Sequence, residues 1–311
     1  MIEEPLWYDV NAYFRQTFGG KVWKILVDTG VPCPHRVAAG GCTFCREETI
    51  LPGQLSVVPP DLSRQIALGK AALRRKYGKV DRFVVYFQRG SALAAPEPEV
   101  RAWLRTALED PETVAVALSA RPGDITDPVQ RMLAMAGPER VIFVDIGLQS
   151  ASDETLRRIN RGHTREDFAR AVRCLAALPE VRSVAHVIVG LPGEGAAENE
   201  ATFRFLSGLP LHGVKVHHLQ VIRGTPLETE FLDGGFEPLD PETFVRRLAD
   251  GLECLPPEMV IHRLQGDQPR KWVAAPAWHL RKEEIIVRLE AEFRRRGTRQ
   301  GSRYQAAGSG L

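Results

Sequence analysis

Three things are scarce in this 311-residue chain. No apolar run approaches the ~18 residues that crossing a bilayer requires. The opening Met1-Ile2-Glu3-Glu4-Pro5 also lacks the basic head and apolar stretch of a secretory leader. A soluble, cytoplasmic protein with no membrane partner is expected. Net charge is scarce too: 41 Lys/Arg against 39 Asp/Glu leave only +2, which excludes a surface coated in basic residues for nucleic acid. Cysteine is the third: there are five, and three of them, Cys33, Cys42 and Cys45, fall in one short stretch. Internal repeats are absent beyond an alternation of strand-like and helix-like segments.

The charge is unevenly spread. From Arg263 onward eleven Lys/Arg face five Asp/Glu, a surplus of +6 that leaves the preceding chain at −4. The run Arg294-Arg295-Arg296, with Arg299 and Arg303, reads either as a solvated helix end or as a phosphate-binding face.

The cysteine stretch reads Cys-Pro-His-Arg-Val-Ala-Ala-Gly-Gly-Cys-Thr-Phe-Cys and follows a strand-like segment, 22–27, broken by Asp28-Thr29-Gly30. Three thiolates on one loop can converge on a single inorganic centre. Three readings compete. A disulfide fits poorly with an odd local count. A zinc site would need His35 as its fourth ligand. An iron–sulfur cluster held by three cysteines would leave one iron open. Cys174, on a helix, and Cys254, at a helix end, read as buried, inert thiols.

Beyond the loop, short β-branched or aromatic strands are expected at 82–88, 113–119, 140–148, 184–189 and 214–222. Helical periodicity appears at 62–77 (begun by Pro59-Pro60-Asp61), 98–108, 127–136, 153–159, 164–178 and 197–206. Six strands, each followed by a helix or loop, imply a parallel sheet rolled into a partial (β/α)6 barrel with a C-terminal helical extension. The boundaries are 1–235 for the barrel with its N-terminal extension, 236–297 for the extension, which holds helices 241–255 and 282–296 and a strand 259–264, and 298–311 for a flexible tail.

In such barrels chemistry sits at the C-terminal strand ends. Gln88, Ser91, Ser119, Arg121, Gln149, Ser150, Gly190 and Gln220 gather there. Gly190 lets backbone pass close to a ligand, or serves a plain turn. Arg121 offers a fork for a carboxylate or phosphate, or makes a structural ion pair. Lys215 and His217, two apart on one strand, share a face; with His186 on the preceding strand they become substrate or cofactor contacts if that face lines the barrel.

The joint order of several motifs resembles the radical S-adenosylmethionine (SAM) enzymes, and within them the YhcC-like branch. These motifs are Phe18-Gly19-Gly20-Lys21-Val22, the Cys-x8-Cys-x2-Cys loop, Tyr86-Phe87-Gln88, Ala120-Arg121-Pro122, Gly147-Leu148-Gln149-Ser150, Val189-Gly190-Leu191-Pro192-Gly193-Glu194 and Ala275-Pro276-Ala277-Trp278. Asn160-Arg161-Gly162-His163-Thr164 is also similar to the radical SAM domain of the elongator complex's catalytic subunit, which modifies wobble uridine in tRNA. The chain departs from its branch at His35, where Asn is usual, and at Gly123, which separates Pro122 from Asp124.

The resemblance implies that Cys33, Cys42 and Cys45 hold a [4Fe-4S] cluster whose open iron takes SAM, which one electron splits into methionine and a 5′-deoxyadenosyl radical. It implies Gln88 and Ser91 near the methionine amino group, Phe44 beside adenine, Gln149 at the ribose, and Ser119, His186, Gly190 and Gln220 as further cofactor contacts. Lys215, His217 and Arg121 are the candidate catalytic residues. Implied partners are an electron donor such as flavodoxin or ferredoxin, and a tRNA. A small metabolite in place of tRNA, or a non-catalytic zinc module, are the rival readings.

Overall fold

A computed structural model describes residues 4–46, 61–134 and 140–306. Seven parallel strands form one sheet in the order β1-β2-β3-β4-β5-β6-β8. They are β1 (Trp23–Asp28), β2 (Phe83–Gln88), β3 (Thr113–Ala120), β4 (Val141–Gln149), β5 (Val181–Val189), β6 (Gly213–His218) and β8 (Val260–Arg263). Helices α3 (Leu62–Tyr77), α4 (Glu97–Leu108), α5 (Asp127–Ala134), α7 (Arg165–Ala176), α8 (Ala196–Ser207) and α10 (Pro241–Cys254) make the crossovers. The residues at 59, 60, 135 and 136 included in the sequence-based helices lie outside the described residues.

Strand alternation sorts the sheet into two apolar layers. Val85, Phe87, Leu118, Val144, Val187 and Val216 point outward into the core shared with the helices. Val84, Tyr86, Ala117, Phe143 and Val184 point inward. The sheet is curled into a half-barrel, because Lys215 on β6 reaches Asp145 on β4 and Tyr86 on β2, strands that do not adjoin it. The lower end is plugged by α1 (Val10–Phe18), whose Tyr13 and Phe14 join the inward layer. This helix was not evident from the periodicity. Its N-cap Asp9 accepts from the Ala12 amide at 2.7 Å, and Gly19, at φ 71°, ends it.

Two boundaries differ from the sequence reading. The expected strand 214–222 breaks after His218: β7 (Val221–Ile222) leaves the barrel and pairs antiparallel with β9 (Val273–Ala275). The strand assigned to the extension is β8, which joins the barrel sheet beside β6 with Gly213 opposite Val260 and Lys215 opposite Arg263. The half-barrel therefore has seven strands, and the extension contributes part of its wall. Among the described residues β1 and β8 do not pair, which leaves a seam between them. At the foot of β8 the seam is partly covered where the Ile261 amide donates to the Tyr8 carbonyl at 2.8 Å.

The tail expected to be flexible is held as far as it is described. Gln300 is buried. Its amide donates to the carbonyls of Pro256 (2.6 Å) and Met259 (2.8 Å), and its carbonyl accepts from the Tyr8 amide (2.9 Å). The arginines around it are not free either. Arg295 pairs with Glu292 at 2.8 Å, Arg296 with Asp250 at 2.6 Å, Arg299 with Glu4, and Arg303 with Glu200 at 2.6 Å. Arg294 lies 3.4 Å from Glu290 on the same helix, α11 (Lys282–Arg296). The basic surplus is partly answered inside the fold: Arg296, Arg299 and Arg303 meet carboxylates of the −4 remainder, while Arg294 and Arg295 pair with acids of their own helix. Replacing Gln300 with Ala removes the side-chain partner of the buried Met259 carbonyl and of the half-buried Tyr8 amide, while the Pro256 carbonyl keeps the Met259 amide at 3.1 Å; it should cost about 1–3 kcal/mol, read as a lower urea midpoint with an unchanged slope.

Candidate active site

The cysteine loop leaves the end of β1. Asp28 is buried there; its carboxylate accepts from the Gly30 amide (2.8 Å) and lies 3.2 Å from Arg89. Cys33 caps α2 (Pro34–Ala39), which has proline in its first turn. Gly40 (φ 75°) and Gly41 (φ 81°) then reverse the chain, and Cys42 and Cys45 follow across a turn closed by Cys45 N to Cys42 O at 3.1 Å. The expected loop thus contains one short helix with its three cysteines at the two ends.

The loop is clamped by the stretch that follows α6 (Asp153–Arg158). The Asn160 side-chain amide donates to the carbonyls of Ala39 (2.9 Å) and Gly41 (2.7 Å). The Thr43 amide donates to the Ile159 carbonyl at 3.0 Å. Arg161 is buried, with one Nη 3.4 Å from Cys42 Sγ and the other 2.5 Å from the Gly147 carbonyl. Arg121 donates to the Arg161 carbonyl at 2.7 Å. Sequence alone assigns Arg161 and Asn160 no role of their own; their place in the Asn160–Thr164 run just after a short helical segment is the signal it offers.

Backbone strain collects at this mouth. The non-glycine residues with positive φ among those described are Arg89 (78°), Gln149 (80°) and Asn160 (48°), at the ends of β2 and β4 and in the clamp. Such conformations cost energy and persist where surrounding structure imposes them, often at functional sites.

Inside the barrel, Lys215 forms a buried ion pair with Asp145 and lies 3.5 Å from the Tyr86 hydroxyl. His186 lies 3.6 Å from the same Asp145 oxygen, and its ring stacks on His217 with centroids 5.7 Å apart. Burial opposes ionisation of Asp145, but Lys215 and His186 hold its carboxyl well below the usual range. Burial, then Lys215, pushes His186 down to about 4. Burial, then Arg263, pushes His217 well below its ordinary value. Both imidazoles are neutral at neutral pH. Ser119 Oγ, Asp145 Oδ1, His186 Nε2, His217 Nε2 and one Nη of Arg121 are buried without a hydrogen-bond partner among the described residues. Unmet polar atoms of this kind need a ligand or water.

The predicted residues thus divide into groups. Lys215, His217 and His186 do line the barrel, on one face. Arg121 lies apart from them, under the clamp. Gln88 ends β2 opposite Asp28. Ser91 is fully buried and bonds Asp124, which caps the turn at Arg121; this gives Asp124 a structural place despite the inserted Gly123. Phe44 packs beside Leu156, Ile159, Leu191, Leu219 and Leu227. A side chain at Gly190 (φ 93°) would collide with Leu239. Gln220 faces the seam and lies beside Gly266.

Do the cysteines fit a metal centre? Burial, then Cys42, pushes the Cys45 thiol up to about 11, with Arg36 opposing. Bound iron reverses that balance by taking the thiolates directly. Among the described residues no three His, Cys, Asp or Glu side chains meet at one ion-sized point. Zinc requires such a point, and His35, its candidate fourth ligand, spends Nε2 on the Asn160 carbonyl at 2.6 Å. A four-iron cubane offers each thiolate its own corner, so three cysteines of one loop can hold it without meeting at a single ion.

Comparison with known proteins decides the matter. The Radical SAM superfamily model matches residues 32–206, and the Radical_SAM C-terminal domain model matches residues 211–295. This chain belongs to the radical SAM superfamily. The protein YtqA of Bacillus subtilis is 31% identical over 97% of this chain and 94% of its own length; YhcC of Escherichia coli is 28% identical over 92% and 91%. The elongator-type protein Elp3 of the archaeon Methanocaldococcus infernus shares the fold, with TM-score 0.68 at 18% identity, over 90% of this chain and 64% of its own. The chain is therefore a radical SAM enzyme that uses a [4Fe-4S] cluster and SAM, and the zinc-module reading falls. No helix among the described residues is long and apolar enough to cross a membrane.

Two outcomes follow. Asn160→Ala removes both bonds to the loop and should shorten cluster retention, as Cys33→Ala, Cys42→Ala and Cys45→Ala abolish it; Cys174→Ala should retain full iron, measured as iron and sulfide per chain. The second outcome concerns acid. Burial holds His186, His212 and His218 near 4 and pushes His217 and His262 well below their ordinary value. The unfolded chain protonates its histidines from about pH 6.5 downward, while the folded one does not until about 4. Stability is therefore full above that window and is lost as pH falls through it. The urea midpoint should drop steeply between pH 7 and 5, and His186→Gln should make the drop shallower.

Proposed function

We propose that this radical SAM enzyme binds SAM across the mouth of the half-barrel and acts on a uridine of tRNA. One observation carries the substrate reading. The chain is 29% identical to a tRNA uridine(34) acetyltransferase of Dehalococcoides mccartyi over 47% of its length, and to human Elongator complex protein 3 over 46%. It covers only 32% and 27% of those proteins, so it carries one portion of what they carry. The elongator-like stretch Asn160–Thr164 includes the residues that grip the cysteine loop.

Cys33, Cys42 and Cys45 would hold the cluster, which would supply the electron, drawn from a flavodoxin or ferredoxin, for reductive cleavage of SAM. The rest of the task falls to the chain. Gln149, fixed by its strained backbone, turns its amide to the ribose, and Gly190 lets the neighbouring backbone approach. Gln88 and Ser119 receive the methionine end, Phe44 flanks adenine, and Ser91 supports the site through Asp124. Arg161 places a positive charge beside the cluster's Cys42. Below, Lys215 pairs with Asp145, so that pair adds polar groups to the cavity without adding a net charge. His186 and His217, neutral at neutral pH, can accept or return a proton at Nε2 of a substrate held against them.

The small-metabolite reading is favoured by a different observation: most arginines of the C-terminal end are already paired within the fold. Nucleoside analysis of tRNA from cells with and without the gene separates the two. The tRNA reading expects the loss of one modified uridine and its restoration by the parent gene but not by Cys42→Ala. An identical nucleoside inventory in both strains would transfer the case to the metabolite.

A further inference from the structure

The seam between β1 and β8 opens into a cleft of about 730 Å³. Lys21, Trp23 and Lys24 form one wall, His262 and Arg263 the other, and Lys282 lies above. Phe14 of α1 is on its floor, and His218 and Gln220 carry it upward toward the mouth. The cleft is thus a side entrance to the half-barrel, bounded by both free ends of the sheet.

Its charge is unbalanced. Among the described residues neither Lys24 nor Arg263 has a carboxylate within ion-pair distance, whereas the arginines of α11 and the tail do. The acids on the cleft, Asp267 and Glu283, are exposed at its margin. Burial, then the charges of Lys215, Arg263 and Lys282, pushes Lys24 down to about 7, with Asp145 partly opposing. His262 Nε2 and Gln265 Oε1 are also buried beside the cleft without partners among the described residues. A lysine whose charge is disfavoured by cations across a gap is relieved by an anion between them.

We propose that this cleft is the substrate's phosphate site, with Lys24 of β1 and Arg263 of β8 clamping one phosphate across the open seam. Arg263 offers the planar fork that suits phosphate oxygens, and Lys24 the point charge opposite it. Arg263 is opposite Lys215 in the sheet register, so a phosphate held there sets the attached group at the level of the Lys215–Asp145 pair inside the barrel. The site deepens the tRNA reading, on which it rests only for the source of the phosphate: an RNA backbone or a small phosphorylated molecule presents the same oxygens.

The test uses the full-length, cluster-loaded protein under anaerobic conditions. Inorganic phosphate and uridine monophosphate are titrated by calorimetry, and bulk tRNA by filter binding. The parent, Lys24→Met, Arg263→Gln and, as an exposed control, Lys79→Met are compared at matched iron content. Uridine monophosphate should bind saturably, and each cleft variant should weaken it about tenfold, with Lys79→Met unchanged. Weakening of tRNA by the same variants supports RNA as the source. Phosphate and nucleotide binding that depends on the cleft while tRNA binding does not keeps the site and removes the RNA reading. No saturable binding of either small anion, or equal binding by parent and cleft variants, overturns the proposal. SAM cleavage without substrate should match the parent in both cleft variants, since neither residue belongs to the SAM site.

Discussion

The radical SAM site depends on a short-range polar clamp. The two hydrogen bonds from the Asn160 amide to Ala39 and Gly41, and the Arg161 guanidinium beside Cys42, hold a glycine-hinged loop that has little apolar area of its own. Without them, Gly40 and Gly41 leave the loop free to sample many shapes, and three thiolates cannot be offered at fixed corners. The clamp is itself positioned by β4: Gly147 has no side chain, so the Arg161 guanidinium reaches its carbonyl where any Cβ would collide. A glycine in one strand thereby decides where a cysteine on another segment can sit.

Much of this was legible in the sequence. The alternation of short apolar strands with amphipathic helices implied the parallel half-barrel, because residues such as Val85 and Val144 on one face and Val84 and Phe143 on the other are all buried. That Lys215 and His217 share a face followed from the two-residue period; that this face is the inward one took the fold to decide. What escaped were features without a local signature. Strand β8 is four residues long, and its membership in the barrel is set by register with β6 rather than by its own composition. The pairing of Arg296 with Asp250, or of Arg303 with Glu200, joins residues far apart in the chain, so a charge count along the sequence cannot tell answered charges from a free basic surface. The break after His218 depends on β9, more than fifty residues later.

The buried interior shows how a barrel can be polar and remain folded. Asp145 and Lys215 cancel, and the histidines around them stay neutral because burial outweighs every attraction for a proton. The cost is that several oxygen and nitrogen atoms face the cavity unsatisfied. A fully apolar lining would be more stable but would offer nothing to a ligand.

The missing closure between β1 and β8 has a consequence for the chain's behaviour in solution. An open parallel sheet presents an end strand whose backbone can recruit another chain, and folded proteins blunt such edges with charge or cover. Here Tyr8 covers the foot of β8 through its bond from Ile261. At the other end Lys21, whose ammonium lies 4.0 Å from the Trp23 ring, and Lys24 stand on or beside β1. The same lysines that border the side entrance therefore act as guards against strand-to-strand association. A variant that neutralises this border becomes more prone to self-association as well as less attractive to anions, so residues 21–24 are constrained by solubility and by chemistry together.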